Sequence, residues 1–308
     1  MNTKSTKKVI LSLGEGNTPL IRLANLESKL DWKDEIWAKC EFLNPTGSFK
    51  DRGSIVEVSQ SIKLGKKGVV CASTGNMAAS LAAYSAKAGI QCVVTVPKST
   101  SRGKLKQAQI CDAEIVEVNG NYDDCVKKAK RYSEENNFLL CGDYELRRLG
   151  QSTVGIELAQ SGIELDAFIV PVGNGTLGCA ISQGFAMYGK FPAFIGVQGK
   201  GADPIYQAWT SNSTMIRIIV PKTIASAMNV GNPLDGNITL DWIEKTNGQI
   251  FSIADGEIQT AQYLLAKEEG LFVEKSAAAT VSVLEKITTK ELTVVLILSG
   301  NGLKESYE

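Results

Sequence analysis

The sequence contains no histidine. That excludes Ser-His-Asp and Cys-His nucleophile systems and every metal site built on imidazole. A general acid or base here must be Lys, Asp, Glu, Tyr or Cys, which favours a cofactor that carries the difficult chemistry. Net charge is also lacking, because Lys+Arg and Asp+Glu number 33 each. Nothing in that balance points to nucleic acid or to an anionic membrane surface. No pair of the seven cysteines has C-x-x-C spacing, so neither a zinc site nor a thioredoxin-like motif is supported. Most sit in apolar runs such as Val69-Val70-Cys71 and Gln91-Cys92-Val93, the pattern of small buried residues in a reducing cytoplasm. Residues Met1 to Val9 are polar and basic, without the apolar run of a secretory signal. The uncharged stretch Ala167–Gly189 is long enough for a bilayer, but its Pro, Asn, Gln and glycines read as strand, loop and helix.

What is present suits a folded core: 44% hydrophobic and 21% charged residues in 308, enough for one large or two medium domains. Short apolar runs alternate with amphipathic segments of helix length. Strands are expected at Glu35–Phe42, Gly68–Ala72, Gln91–Val96, Glu114–Val118, Phe138–Cys141, Ala167–Val172, Ala193–Gln198, Ile250–Ile253 and Leu292–Leu298. Helices are expected at Asp51–Leu64, Asn76–Gly89, Arg102–Cys111, Tyr122–Asn136, Gln151–Ser161, Leu177–Lys190, Asp255–Gly270 and Ala277–Ile287. Alternating βα units imply an α/β protein with two domains and mostly parallel sheets. We place a smaller α/β domain at 45–143 and a larger one at 1–44 and 144–308. Ser211–Ile219 and Ala225–Gly236 break the rhythm and read as loops or short elements.

Three stretches concentrate chemistry. In Leu43-Asn44-Pro45-Thr46-Gly47-Ser48-Phe49-Lys50-Asp51-Arg52-Gly53, a lysine follows a Pro-Thr-Gly-Ser bend at a helix start. Asp51 suits the positive end of that helix. An amine so placed can form a Schiff base with an aldehyde, or be an incidental charge at a helix entry. Ala72-Ser73-Thr74-Gly75-Asn76 runs from a strand into a helix, where unpaired N–H groups suit an anion, though a polar cap reads the same way. Val172-Gly173-Asn174-Gly175-Thr176-Leu177-Gly178 does likewise, and its glycines allow a phosphate to approach the backbone. It also satisfies G-x-G-x-x-G. A dinucleotide site wants an acidic residue about 20 positions on, and the corresponding place carries Gln198.

The stretch from Asn44 to Gly53 resembles the cofactor-lysine motif of threonine synthases, in the tryptophan-synthase-β group of pyridoxal phosphate (PLP) enzymes. Supporting segments run from Gly14-Glu15-Gly16-Asn17-Thr18-Pro19-Leu20 to Ser299-Gly300-Asn301-Gly302-Leu303-Lys304, nearly the whole chain. The resemblance implies that Lys50 holds PLP with Phe49 against it, and that Gly173, Asn174, Gly175, Thr176 and Leu177 bind its phosphate. It implies Asn76 on the phenolic oxygen and Ser299, in place of the usual Thr, on the ring nitrogen. Ser73 and Thr74 would hold a substrate carboxylate, with Lys104 and Arg147 on a substrate phosphate. The segment Ala225–Pro233 would lie beside the cofactor ring. The implied reaction converts O-phospho-L-homoserine and water to L-threonine and phosphate; the alternative is a β-replacing cysteine or cysteate synthase acting on O-phosphoserine or O-acetylserine. A homodimer in the cytoplasm, without metal, nucleic acid or membrane partner, completes the expectation, and the end at Glu308 implies no appended regulatory domain. Three departures stand out. Gly-Thr replaces the Ala-Gly of threonine synthases in the phosphate loop. Lys275 stands where relatives have Pro, and Glu274 beside it is assigned no role. Cys141-Gly142-Asp143-Tyr144 stands where relatives offer Asn and Ser donors, and an ionised Asp143 disfavours a dianion beside it.

Overall fold

The computed structural model describes residues 11–100 and 102–305, without the side chains of 102–104. The readings of Met1 to Val9 and of Glu308 lie outside the described residues. The strands are β1 (Leu20–Arg22), β2 (Ile36–Lys39), β3 (Gly68–Ala72), β4 (Gln91–Pro97), β5 (Glu114–Val118), β6 (Leu139–Leu140), β7 (Ala167–Pro171), β8 (Ala193–Gly199), β9 (Gln249–Ile253) and β10 (Val294–Ile297). They divide between two compact units. One comprises Ser54–Gly142 with the described residues up to Glu15; the other comprises Gly16–Gly53 with the described residues from Asp143 on.

The first unit holds a parallel sheet in the order β5-β4-β3-β6. Every residue of β3 is buried, as a parallel strand covered on both faces requires. Alternation sorts its side chains. Val69 and Cys71 join a core with Leu81, Tyr84 and Leu105, whereas Val70 and Ala72 join Cys125, Ala129 and Phe138 on the opposite face. Helix Tyr122–Asn136 starts with a capping box in which the Asn121 side chain and Asp124 exchange hydrogen bonds with each other's backbone N–H.

In the second unit the order is β1-β2-β10-β7-β8-β9, with only the β1–β2 pair antiparallel. Ala167 and Ile169 of β7 face a core with Leu296 and Ala278. Phe168 and Val170 face another with Ile297, Ile181 and Phe194. The Ala167–Gly189 stretch resolves into β7, a loop and helix Thr176–Ala186. Among the described residues, no helix is long and apolar enough to cross a membrane.

Several elements correct the expectations. The helix expected over 151–161 is two, Glu145–Gln151 and Thr153–Ala159. The last expected helix begins earlier and ends sooner, at Lys275–Ser282. The strand expected over 35–42 stops at Lys39 and gives way to a 3-10 turn, Glu41–Leu43. Helices Ala24–Leu30, Pro204–Thr210 and Gly236–Lys245 were not anticipated. Asp203-Pro204 is a helix-start signal, since proline at the first helical position sacrifices only an N–H that has no partner there.

The second unit is knit by a buried ion network. Arg52 offers Nε and Nη2 to the two oxygens of Glu41, each at 2.7 Å, and Nη1 and Nη2 to those of Glu157 at 2.6 and 2.8 Å. Lys39 Nζ donates to Glu157 at 2.6 Å and to the Thr18 carbonyl at 2.7 Å. The Thr18 hydroxyl donates to Glu41, and Glu157 accepts from the Asn17 N–H. This network gives Asn17 and Thr18, within the turn-rich segment before β1, their structural role: they finish the coordination of two buried carboxylates. Burial pushes the Glu157 carboxyl up, but hydrogen bonds and charge from Arg52, with help from Lys39 and Asn17, bring it down to about 2. Because the folded value lies below the ordinary one, the stabilisation is complete above pH ~4.5 and is lost as pH falls towards ~2, a loss of about 3 kcal/mol. Urea midpoints measured across that range should fall with pH, and Glu157→Gln should flatten the slope while lowering stability at pH 7. An unchanged slope in the variant would assign the acid sensitivity elsewhere.

Candidate active site

The lysine turn is held from several sides. Gly47 has φ +84, the left-handed region that favours glycine, and a Cβ there would sit 3.1 Å from Lys304 Cδ. Asp51 turns its carboxylate back onto the bend, accepting from the Thr46 N–H at 2.7 Å and from the Thr46 hydroxyl. Lys304 Nζ donates to the Thr46 carbonyl at 2.8 Å. The Phe49 N–H donates to the Ser299 carbonyl, and Ser48 bridges Gly300, so the turn is stitched to the chain just after β10. Lys50 is the first residue of helix Lys50–Lys63.

Glycine also explains how this helix start meets the next. A Cβ on Gly53 would lie 2.6 Å from Arg147 Cγ, and one on Gly150 would lie 1.9 Å from the Arg52 carbonyl oxygen. Backbone and side chain can pass this closely only because both positions lack a Cβ. Arg147 is 0% exposed; its Nη1 donates to the Lys50 carbonyl at 3.3 Å. A solvated surface charge, the default reading of an arginine, is therefore not what this residue is.

Asp143 links the lysine to the glycine loop. Its Oδ1 accepts from Lys50 Nζ at 2.8 Å and its Oδ2 from Asn174 Nδ2 at 2.7 Å. The Lys50 and Asp143 side chains are 16% and 12% exposed. Burial pushes the Asp143 carboxyl up, yet the charges of Lys50 and Arg147 and the hydrogen bonds from Lys50 and Asn174 outweigh it, leaving it below the usual range. The Lys50 amine also lies 4.9 Å from the centre of the Phe49 ring.

The loop at 173–177 is shaped for close approach. Gly175 has φ +90, and a Cβ there would lie 2.0 Å from Thr239 Oγ1. Gly173 lies against the backbone of Ala227 and Met228 and the side chain of Val230, so part of the Ala225–Pro233 segment packs on this loop. Helix Thr176–Ala186 opens with no side-chain cap, and the buried Thr176 hydroxyl has no hydrogen-bond partner. The loop is pinned through Asn174, whose carbonyl accepts from the Asp235 N–H at 2.9 Å and whose Oδ1 accepts from the Leu234 N–H at 3.3 Å. Leu177 and Ser299 are buried nearby in the chain's apolar framework, at 5% and 4% exposure.

Gln198, at the position a dinucleotide site would fill with an acid, is fully buried. Its Oε1 accepts from the N–H groups of Ile205 and Tyr206 at 3.1 and 3.0 Å, so it caps helix Pro204–Thr210. Among the cysteines, all but the half-buried Cys111 are buried and all are free thiols. Burial pushes Cys40, Cys92 and Cys179 up to about 12, so they are poor nucleophiles.

The first unit carries its own anion-suited helix start. Helix Asn76–Ala88 opens without a side-chain cap after Gly75, and a Cβ on Gly75 would meet nothing within 4 Å. The Gly75 N–H donates to the Ser73 hydroxyl at 3.3 Å. Ser73, Thr74 and Asn76 are half-buried. Lys104 lies on helix Arg102–Ile110, and its side chain lies outside the described residues.

The structure thus joins Lys50, Phe49, Arg147, the Asn174 loop and Ser299 within one unit and places Ser73, Thr74 and Asn76 in the other. Sequence reasoning missed the Asp143 bridge and the Arg52 network. The signal for the first was the acid at 143 itself. The second had no local signal beyond Arg52 beside the lysine.

Comparison with known proteins agrees in kind. Residues 11–300 match the family model described as pyridoxal-phosphate dependent enzyme. The chain is 40% identical, over 96% of its length, to a threonine synthase of Methanocaldococcus jannaschii, of which it covers 77%. It is 37% identical to a threonine synthase of Halalkalibacterium halodurans, covering 85% of that protein. Among solved structures it is similar in fold to maize serine racemase, with TM-score 0.82 and 23% identity over 92% of this chain and 88% of that one. It is likewise similar to a bacterial threonine deaminase, from the organism abbreviated T.th., with TM-score 0.81 and 24% identity over 94% of each.

Proposed function

This chain belongs to the threonine synthase family of pyridoxal-phosphate-dependent enzymes, and we propose that it converts O-phospho-L-homoserine and water to L-threonine and phosphate. When bound, PLP supplies the electron sink for the reaction. The observation that carries the reading is the bridge from Lys50 through Asp143 to Asn174, which ties an amine to a glycine loop within one unit. The residues present fit the cofactor. Gly175 in the left-handed region, an uncapped helix start and the unpartnered Thr176 hydroxyl form a donor set suited to a phosphate. We assign Gly173, Asn174, Gly175, Thr176 and Leu177 to that phosphate and Lys50 to the covalent attachment.

Lys50, held by Asp143, is the group that moves protons at the reacting carbons. Phe49 presents an apolar face beside its amine. Ser299, a neutral hydroxyl donor or acceptor, is assigned to the ring nitrogen and does not force protonation there. From the resemblance we carry Ser73 and Thr74 to the substrate carboxylate, Asn76 to the phenolic oxygen, and Lys104 and Arg147 to the substrate phosphate. The same resemblance supports a homodimer in the cytoplasm, and the buried free thiols suit a reducing compartment.

Phosphate release measured over a panel of activated amino acids tests the reading, with threonine identified as the product. Arg147→Ala and Lys104→Ala should each lower kcat/KM for phosphohomoserine about ten- to hundredfold, the cost of one charge-assisted contact. Cofactor absorbance should survive both. Faster turnover of O-phosphoserine or O-acetylserine with a thiol or sulfite, and no threonine from phosphohomoserine, would replace this reading with a β-replacing synthase. Asp143 and the Gly-Thr form of the loop are the features that favour that second reading.

A further inference from the structure

We propose that Asp143 is an internal anion that filters the charge of the substrate side chain, selecting against a doubly charged leaving group. The proposal deepens the functional reading above and rests on it for the reaction. Its observations are geometric. The Asp143 carboxylate uses both oxygens, one on an amine at 2.8 Å and one on a primary amide at 2.7 Å. These are the two donor types that bind the oxygens of a phosphate ester, and here the chain's own carboxylate has taken them. The buried Arg147 guanidinium, the residue assigned to the substrate phosphate, acts electrostatically on the same carboxylate. The cation, the amide, the carboxylate and the arginine therefore form one cluster, not separate subsites.

The charge count follows. With Lys50 committed to the cofactor, Arg147 contributes one positive charge and Asp143 one negative charge. A phosphomonoester carries about two negative charges at neutral pH, its second pKa being near 6. It approaches a cluster without net positive charge and displaces a carboxylate that already satisfies the donors. A neutral ester meets no such opposition, because like charges at contact range in a part-buried site repel strongly. The sequence points the same way, because Asp143 lies in the segment where relatives offer Asn and Ser donors.

The experiment compares wild type with Asp143→Asn and Asp143→Ser, each saturated with PLP. Asp143→Asn keeps the size of the side chain, and Asp143→Ser supplies a hydroxyl. The primary readout is the ratio of kcat/KM for O-phospho-L-homoserine to that for O-acetyl-L-homoserine. Removing the charge should raise that ratio about ten- to hundredfold, the scale of one charge–charge contact. A structural role would move both substrates together and leave the ratio where it was, which overturns the proposal. Calorimetric titration with inorganic phosphate gives a readout independent of turnover. Tighter phosphate binding in both variants supports the filter; equal or weaker binding overturns it. If no form of the protein turns over phosphohomoserine, the functional reading fails, and the phosphate titration still decides the charge filter.

Discussion

Lys50→Ala is expected to abolish turnover, by at least ~10³-fold, because it removes both the covalent attachment point and the group that moves protons. The fold should survive with a lower melting temperature. Lys50 is not a loose surface lysine, since its amine sits 2.8 Å from a part-buried carboxylate. Removing it leaves Asp143 with Asn174 and the Arg147 charge but without its ion pair, a loss of roughly 1–3 kcal/mol. Asp143→Asn added to Lys50→Ala should return part of that loss, because no carboxylate is then left unpaired. The covalent assignment has its own check. Borohydride treatment of the wild-type protein should leave the cofactor mass on the peptide carrying Lys50. The rival within the same unit is Lys304, whose amine is pushed below its ordinary pKa by burial, against the charges of Glu274 and Asp51. Its Nζ is engaged with the Thr46 carbonyl, which makes it a strut of the lysine turn. Finding the label on Lys304 would overturn the assignment of Lys50.

The second large effect lies two residues further on. Arg52→Ala should cost about 3–5 kcal/mol, since breaking a buried pair from one side strands the charge on the other. Here it strands two carboxylates, Glu41 at 0% and Glu157 at 19% side-chain exposure. Lys39 partly compensates Glu157 but makes no bond to Glu41. The melting temperature should fall on the order of 10 °C. Arg52→Lys should recover little of it, because an ammonium cannot present the planar fork that meets both carboxylates at once. The paired change Arg52→Leu with Glu41→Leu discriminates further. A smaller loss than Arg52→Ala alone identifies the stranded charge as the cause, whereas an equal loss assigns the effect to packing.

Much of the framework was legible locally. β3, β5 and helix Tyr122–Asn136 coincide with their expected spans, because β-branched runs and a capped amphipathic period are properties of short windows. The lysine bend and the glycine loop were also legible, for they are turn chemistry. Helices Ala24–Leu30 and Gly236–Lys245 were not. Both are short, neither has a side-chain cap, and packing sustains them more than propensity does.

The sequence by itself determined an α/β alternation, a reactive-amine turn and two helix starts suited to anions, since each depends on residues within a few positions of one another. Only the tertiary structure decided which charges meet. Asp143 reaches Lys50 across 93 positions, and Glu157 reaches Arg52 across 105. A charged residue reads the same in a sequence whether water or a buried partner satisfies it. The difference arises when the fold removes water and leaves another side chain as the only group able to offset the desolvation cost.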